Sequence, residues 1–200
     1  MEKKIREPVQ DRAKDKKNKI IEAAYEIFSE VGFYNANTTD IAKRAGVSTG
    51  IVYGYFNDKH DILLYVIDIY VNKISDPLKE YMLEMETPLD FAKVIGDFCD
   101  LAIELHKSNK NIHNILHSLA TTDKEINEKF MVLEDNITLH VSKQLNASGV
   151  VIDGLKEKVH IAMNSIQSFA HEYVYDKHDY IDYDVMRNAV VKMLVYLFEK

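Results

Sequence analysis

The residues best suited to contact another molecule lie between positions 49 and 55, in the segment TGIVYGY. Thr49 offers a hydroxyl and a methyl group for contacts to base edges, and the hydroxyl of Tyr53 can reach a phosphate. Gly50 and Gly54 are unusual here, because a glycine in a helix interior costs about 1 kcal/mol. Small residues would instead let the backbone lie close to a nucleic acid. The segment is therefore predicted to contact DNA, with Tyr55 on the same exposed face.

The eight histidines raise the alternative of a metal site. His106, His113 and His117 would share one face if a single helix ran through all three, and the last two have the spacing of a two-ligand site. The polar run from 107 to 111 predicts a break between them, and Cys99 is the only cysteine. No metal ligand and no cofactor is therefore assigned, although a metal-responsive regulator remains an alternative.

Catalytic chemistry has no comparable support. The acidic residues form no recognisable catalytic pair, and no glycine-rich loop is present to hold a phosphate group. Cys99 lies in the segment FCDLAIEL, which is typical of a buried helix and not of a reactive thiol. The chain is predicted not to be an enzyme.

Two short helices joined by a tight turn are predicted to hold the candidate segment. The first begins with Thr38 as its N-cap and runs to about Ala45. Gly46 then allows the left-handed backbone that a tight turn between helices requires. Ser48 is a ready N-cap for the second helix, which should run to Phe56. Two helices joined in this way are the sequence signature of a helix-turn-helix.

A helix on each side would complete the head. Apolar residues at helical spacing predict a first helix over 15–31, whereas residues 1–19 hold eight lysines and arginines against four acids. That basic segment is either a solvated terminus or an arm that contacts DNA, and the sequence is consistent with both interpretations. After the second helix, Asp58 and Asp61 have the spacing of a capping box. Lys59 opposes the helix dipole there, which favours another role such as phosphate binding.

The stretch from Thr38 to Leu63 resembles the DNA-binding signature of the TetR family of bacterial transcriptional regulators. The positions that carry the resemblance are Thr38, Ile41, Ala42, Ala45, Gly46, Val47, Ser48, Gly50, Tyr53, Phe56, Lys59 and Leu63. It implies phosphate contacts by Thr38, Tyr53 and Lys59. It also implies that Thr39, Thr49 and Gly54 lie next to bases, although Gly54 departs from the larger side chain common there. The full predicted DNA-binding set is Thr38, Thr39, Ser48, Thr49, Gly50, Tyr53, Gly54, Tyr55 and Lys59.

The rest of the chain is predicted to be helical as well. Only seven glycines and three prolines occur, and apolar residues recur at three- and four-residue spacing, which favours an all-α fold. We expect residues 1–62 to form the arm and a three-helix DNA-binding head, and residues 63–200 to form a larger helical body. In that body, Pro77 should break or kink the helix that follows the head, and Thr87 should cap the next helix.

The body contains two further candidate surfaces. Aromatic, histidine and methionine side chains there suit an apolar effector pocket, although such residues more often form core. The candidates are Tyr65, Phe91, Phe98, His106, His113, His117, Met131 and Phe169.

The last two helices, predicted over 155–175 and 183–198, carry apolar stripes that either complete the core or form an interface. The family resemblance implies that they build a four-helix bundle with a second chain. The predicted dimer residues are Val159, Met163, Ile166, Ala170, Met186, Val190, Met193 and Leu197.

Charge is divided unevenly along the chain. Residues 1–60 carry a net charge of +2 and residues 61–200 a net charge of −9, within a total of −7, which suits a protein that presents one end to phosphate. The sequence starts without the apolar run of a signal peptide and holds no run of about 18 apolar residues, so we expect a cytoplasmic protein.

The sequence as a whole favours a ligand-responsive regulator of transcription. We expect a homodimer, most simply a repressor, that binds a palindromic operator in double-stranded DNA and is released by a small, lipophilic effector. The alternative from another class is a helical ligand carrier, or a partner-binding protein, that binds no operator.

Overall fold

The computed structural model describes residues 6–85 and 87–199, and this part of the chain contains nine α-helices and no strand. The helices are α1 (Arg6–Val31), α2 (Thr38–Arg44), α3 (Thr49–Tyr55), α4 (Lys59–Leu83), α5 (Phe91–Ser108), α6 (Lys110–Ala120), α7 (Lys124–Ala147), α8 (Leu155–Tyr175) and α9 (Tyr183–Phe198). The predicted all-α fold is confirmed. Across the described residues, no helix combines the length and the apolar character needed to cross a membrane.

The chain divides into two compact units. The first comprises Met1–Tyr70 with Asn111–Asn127, and the second comprises Val71–Lys110 with Glu128–Lys200. Both α4 and α7 therefore contribute residues to each unit. The functional boundary predicted between residues 62 and 63 lies inside α4 and stays a prediction.

The first unit packs around α1. Its inner face buries Ile20, Ala24 and Phe28 completely, each with 0% of its surface exposed. The other helices of the head supply the facing apolar side chains, namely Ile41, Ala42, Val52, Phe56, Ile62, Leu63 and Val66. Burial of side chains this size stabilises a fold by roughly 1.5–3 kcal/mol each. This core fixes α2 and α3 on α1 and leaves their other faces outward.

Helix α1 begins at Arg6, nine residues before the predicted start at Asp15. The sequence-based boundary was wrong because residues 6–19 lack an apolar stripe. They nevertheless contain four lysines and two arginines, and both residue types have high helix propensity. Pro8 falls in the first turn, where the missing N–H is tolerated. Residues 1–5 of the predicted arm lie outside the described residues.

The second unit is built on α5, α8 and α9. Its core contains Ile95, Cys99, Ile103, Leu145, Leu155, Val159, Ala162, Ile166, Phe169, Ala170, Tyr183, Leu194 and Phe198. Helix α5 starts at Phe91 with Asp90 as its N-cap, because the Asp90 carboxylate accepts a hydrogen bond from Lys93 N–H at 3.1 Å. The predicted cap at Thr87 was therefore wrong.

Helix α4 continues through Pro77 to Leu83, so the break predicted there is wrong, while the alternative of a kink stays a prediction. The loss of one backbone N–H is offset by packing beyond the proline. Tyr81 donates a hydrogen bond to Asp97 at 2.6 Å and packs its ring on Phe98 with 5.0 Å between ring centroids. Met82 is buried one residue later.

Candidate nucleic-acid interface

Helices α2 and α3 meet at a turn centred on Gly46. Its φ of +68° is the left-handed conformation that the sequence predicted for this residue. The N–H groups of Gly46 and Val47 donate to the carbonyls of Lys43 and Ala42 at 3.2 Å and 3.0 Å, which closes the end of α2. A side chain at Gly46 would strain this backbone, so the turn explains why glycine stands there.

Asn37, and not Thr38, caps α2. The Asn37 side-chain oxygen accepts from Asp40 N–H at 2.9 Å, and its amide donates to the Asp40 carboxylate at 2.6 Å. The prediction of Thr38 as the cap was wrong by one residue. The spacing of Asn37 and Asp40 was the available signal, because both residue types favour a helix start.

Because Asn37 caps α2, the Thr38 side chain lies at the outer face of the two helices instead. Its hydroxyl lies 3.0 Å from the hydroxyl of Tyr53, which is 57% exposed. Both residues were predicted to contact phosphate, and the structure brings their hydroxyls to one point. Two adjacent hydroxyls at the surface can donate to oxygens of a single phosphate. On the opposite side of α3, Val52 and Phe56 are buried in the core.

The remaining predicted DNA contacts lie at the same surface. Thr39, Ser48, Gly50 and Gly54 are exposed, and Thr49 and Tyr55 are half-buried. Ser48 occupies the predicted N-cap position of α3, but its side chain makes no capping hydrogen bond.

The two glycines of α3 have no packing reason to be glycine. A methyl group added at Gly54 would meet nothing within 4 Å, and one added at Gly50 would meet only the Ser48 hydroxyl at 3.9 Å. Neither residue has the positive φ that favours glycine. Each glycine therefore lowers helix stability by about 1 kcal/mol without compensation inside the chain. This favours a role in letting another molecule approach the α3 backbone.

Lys59 lies against the loop that joins α1 to α2. Its ammonium donates to the carbonyls of Phe33 at 2.6 Å, Ala36 at 2.8 Å and Tyr34 at 3.3 Å, and it lies 4.5 Å from the centre of the Phe33 ring. Burial lowers the pKa of Lys59 from its ordinary value. The geometry gives Lys59 a structural role in holding this loop. Its predicted phosphate contact stays a prediction.

The start of α4 is fixed by two aspartates. Asp58 accepts from Asp61 N–H at 2.8 Å, as the capping-box spacing predicted. The Asp61 carboxylate reaches back to Asn57 N–H at 2.9 Å, one residue before the usual position. Lys59 is thus placed on a well-capped first turn, which positions its ammonium over the α1–α2 loop.

An ion-pair group ties α2 to α1. The Arg44 guanidinium lies 2.9 Å from both the Glu26 and the Glu30 carboxylates. The hydrogen bond from Arg44 holds the pKa of Glu30 below its ordinary value. Because these side chains are exposed, the pair adds little stability. Its main consequence is that Arg44 is already engaged by two acids.

The effector candidates are divided between the two units. In the first, Tyr65 lies under the Lys17 ammonium at 3.8 Å from its ring centre. His113 accepts or donates a hydrogen bond with the Tyr70 hydroxyl at 2.6 Å and stacks on His117 at 4.2 Å. These three candidates therefore have partners within the head unit, and their role in effector binding stays a prediction.

In the second unit, Phe91 stacks on Phe198, Phe98 packs on Tyr81, and Phe169 is buried in the core. Met131 is 56% exposed. His106 is buried and donates from Nδ1 to the Ala102 carbonyl at 2.7 Å. Burial lowers the pKa of His106 from its ordinary value. These residues also remain effector candidates without a direct test.

The predicted dimer residues fall into two groups. Val159, Ile166 and Ala170 belong to the core of the second unit, whereas Met193 is 55% exposed. Met163, Met186, Val190 and Leu197 are half-buried. The apolar side chains that α8 and α9 expose most are Ile161, Val185, Met193 and Tyr196. Of these four residues, the sequence-based prediction included only Met193, because an apolar stripe alone does not distinguish the inner face of a helix from its outer face.

Taken together, a capped α2, a left-handed glycine turn and an α3 with an exposed hydroxyl-and-glycine face define a helix-turn-helix protein of the DNA-binding class. Residues 20–66 match the family model described as bacterial regulatory proteins, tetR family. The head of the chain is therefore similar to the DNA-binding region of the TetR family of transcriptional regulators.

Individual relatives extend the comparison beyond the head. The chain is 44% identical over 64 residues to the HTH-type transcriptional regulator HbdR of Aromatoleum sp. (strain CIB), a match that covers 30% of this chain and only 28% of that relative. It is 26% identical over 191 residues to the fatty acid metabolism regulator protein of Bacillus subtilis (strain 168), covering 88% and 92% of the two chains. These relatives are named as regulators, in agreement with the prediction that the chain is not an enzyme.

A solved structure shows the same fold. The transcriptional regulator FadR from Bacillus subtilis, in complex with stearoyl-CoA, superposes with a TM-score of 0.66 at 22% identity and covers 90% of this chain and 98% of its own. At this identity the likeness concerns the fold alone.

Proposed function

We propose that the chain is a dimeric repressor that binds a two-fold symmetric operator and releases it when a lipophilic acyl effector binds. The observation that carries the DNA-binding part is the outer face of α3. There the Thr38 and Tyr53 hydroxyls lie 3.0 Å apart, beside two glycines that nothing inside the chain requires.

The dimer is needed because the face of α3 is small. The helix has seven residues and carries no lysine or arginine, so one head supplies few phosphate contacts and weak electrostatic attraction. Two heads related by a two-fold axis would read half-sites about 34–36 Å apart in successive major grooves. The exposed apolar residues of α8 and α9, with Met193 and Tyr196 foremost, support these helices as the contact between copies.

The effector class is proposed from the two matches to Bacillus subtilis. One is named as a fatty acid metabolism regulator, and the FadR structure contains stearoyl-CoA. The second unit contains suitable side chains, because its core is built of aliphatic and aromatic residues such as Ile103 and Phe169, with Phe98 packed against it. An acyl effector can release DNA only if it binds the conformation that cannot bind DNA more tightly than the conformation that can. For a complete switch, the two binding free energies must differ by roughly 5.5 kcal/mol.

DNA binding is tested by fluorescence anisotropy with the promoter region upstream of the gene and a scrambled fragment of equal length, at low and high salt. We expect preference for the promoter fragment and affinity that falls with salt. The double change Thr38→Val and Tyr53→Phe should weaken binding about tenfold, whereas Tyr180→Phe, at an 83% exposed tyrosine outside the head, should not. Equal, weak binding to both fragments would favour the ligand-carrier alternative.

The effector is tested separately with stearoyl-CoA as the probe. We expect the preformed protein–DNA complex to dissociate as the probe is added, and free coenzyme A to have little effect. Intact complex at saturating stearoyl-CoA would contradict the acyl effector and leave the DNA-binding proposal standing.

A further inference from the structure

Three side chains with metal-binding chemistry converge where α4 and α7 begin. His60 Nε2 lies 2.7 Å from an Asp123 carboxylate oxygen, and His60 Nδ1 lies 3.9 Å from a Glu125 carboxylate oxygen. One ligand atom from each residue lies within 4.8 Å of the other two. All three residues belong to the first unit. They are distinct from His106, His113 and His117, the histidines considered from the sequence.

Asp123 is held in place by the start of α7. One carboxylate oxygen accepts from Glu125 N–H at 3.0 Å and Ile126 N–H at 3.2 Å, and Ile126 is completely buried. The other oxygen is directed at His60. A carboxylate oriented by hydrogen bonds to its second oxygen is a common support for metal ligands.

One imidazole and two carboxylates match the preferences of divalent ions such as Zn²⁺, Mn²⁺ and Co²⁺. An ion about 2.1 Å from each ligand atom requires those atoms to be roughly 3–3.5 Å apart. Only one ring nitrogen of His60 can bind the ion, and the three ligand atoms now lie within 4.8 Å of one another. A side-chain movement of about 1–2 Å would bring them to that spacing, and Glu125, which is 67% exposed, can turn inward. His60 and Asp123 are 35% and 26% exposed, so an ion and its remaining water ligands can reach them.

We propose that His60, Asp123 and Glu125 bind one divalent transition-metal ion, with water completing its coordination. The ion would join the first turn of α4 to the first turn of α7. Since His60 directly follows Lys59, which holds the α1–α2 loop, the ion would also brace the base of the helix-turn-helix. Only this last consequence rests on the proposed function; metal binding itself is independent of it.

The test uses the full chain after removal of metal by a chelator. Titration with Zn²⁺ by calorimetry, and with Mn²⁺ by electron paramagnetic resonance, should give one ion per chain. Asp123→Asn keeps the capping oxygen of α7 and removes only the charge, and His60→Gln removes the imidazole. Each should weaken binding at least about tenfold. His178→Gln, at an exposed histidine of the second unit, should bind as the wild type does.

Thermal unfolding gives a second readout that needs no DNA. Zn²⁺ at saturation should raise the Tm of the wild type and of His178→Gln, and should leave His60→Gln unchanged. Saturable binding that persists in both Asp123→Asn and His60→Gln, or no saturable binding in the wild type, would overturn the proposal and reduce the cluster to an ion pair between two helix starts. Circular dichroism of each variant verifies that the fold is retained.

Discussion

The helix pairs α2–α3 and α8–α9 both present a face to solvent, but the two faces have opposite chemistry. The first carries hydroxyls and glycines, with Thr39 and Tyr53 outermost, above a core of Val52 and Phe56. The second exposes apolar side chains above a core that is also apolar. A hydroxyl-and-glycine face suits phosphates and base edges, whereas an exposed apolar face suits a second protein surface. The contrast supports the proposal that α2–α3 contacts DNA and that α8–α9 contacts a second copy of the chain.

The largest expected effect comes from charging the apolar face. Met193→Glu with Tyr196→Glu should convert the dimer to monomer, because it places buried carboxylates in the proposed contact. Operator affinity should then fall on the order of 100-fold, since each molecule keeps only half of the DNA contacts. Light scattering after size-exclusion chromatography and anisotropy measure the two effects.

The matched control is Leu83→Glu, at a leucine that is 77% exposed in α4. It should leave both mass and affinity unchanged. A dimer that survives Met193→Glu with Tyr196→Glu would assign the contact to another surface and break the contrast between the two helix pairs.

The next effect separates two roles for Lys59. Lys59→Met keeps the aliphatic stem and removes the ammonium that binds three carbonyls of the 33–36 loop. We expect a loss of roughly 1–2 kcal/mol in the free energy of unfolding, and a Tm lower by several degrees. Operator affinity should fall while its salt dependence stays the same, because no phosphate contact is lost.

The opposite pattern would identify Lys59 as a phosphate ligand. In that case Tm would be unchanged, and the slope of log affinity against log salt would become shallower by about 0.9 for each Lys59, or about 1.8 for a dimer that loses both. Measuring both quantities on the same variant decides between the roles.

Gly54→Ala tests whether the glycine at this position lowers the stability of α3 and, in return, allows DNA to approach the helix closely. The added methyl group meets nothing inside the chain within 4 Å, so unfolding free energy should rise by up to about 1 kcal/mol. Operator affinity should fall about tenfold because the methyl group projects toward the bases. Gly46→Ala is the contrasting variant, since its φ of +68° predicts lower stability. Unchanged affinity in Gly54→Ala would remove the close-approach explanation for this glycine.

The smallest effect concerns the second unit. The folded protein resists protonation of His106, because burial lowers its pKa, whereas the unfolded imidazole titrates near about 6.5. The stability contributed by neutral His106 is therefore present above that pH and is lost as the pH falls toward the folded-state pKa. Urea unfolding across this range should show weaker pH dependence in His106→Gln than in the wild type or His178→Gln. Parallel curves for all three proteins would contradict a role for His106.

Much of the fold could be predicted from the sequence, because local signals mark it. The bounds of α8 and α9 and the turn at Gly46 agree with the predictions, since capping residues, glycine and helical periodicity act over a few positions. Outer and inner faces could be separated only where their chemistry differs. In α3 they differ, whereas in α8 both are apolar, and Val159 and Ile166 proved to be core.

Contacts between distant residues left no such signal. Lys59 meets carbonyls 23 to 26 residues earlier in the chain, and His60 meets Asp123 63 residues later. A helix or a turn brings together only residues that are a few positions apart, so neither contact can be predicted from local spacing. The role of Lys59 and the His60 cluster therefore emerged only from the packed structure.

We propose that two copies of α3 read DNA through Thr49 and its neighbours. Selection from a random double-stranded library, performed with the wild type and with Thr49→Ala, tests it most directly. The wild type should enrich a two-fold symmetric sequence with half-sites about one helical turn apart, and Thr49→Ala should alter the preferred bases within each half while keeping the spacing. Enrichment of no common sequence by the wild type, or an identical sequence from both proteins, would contradict the claim.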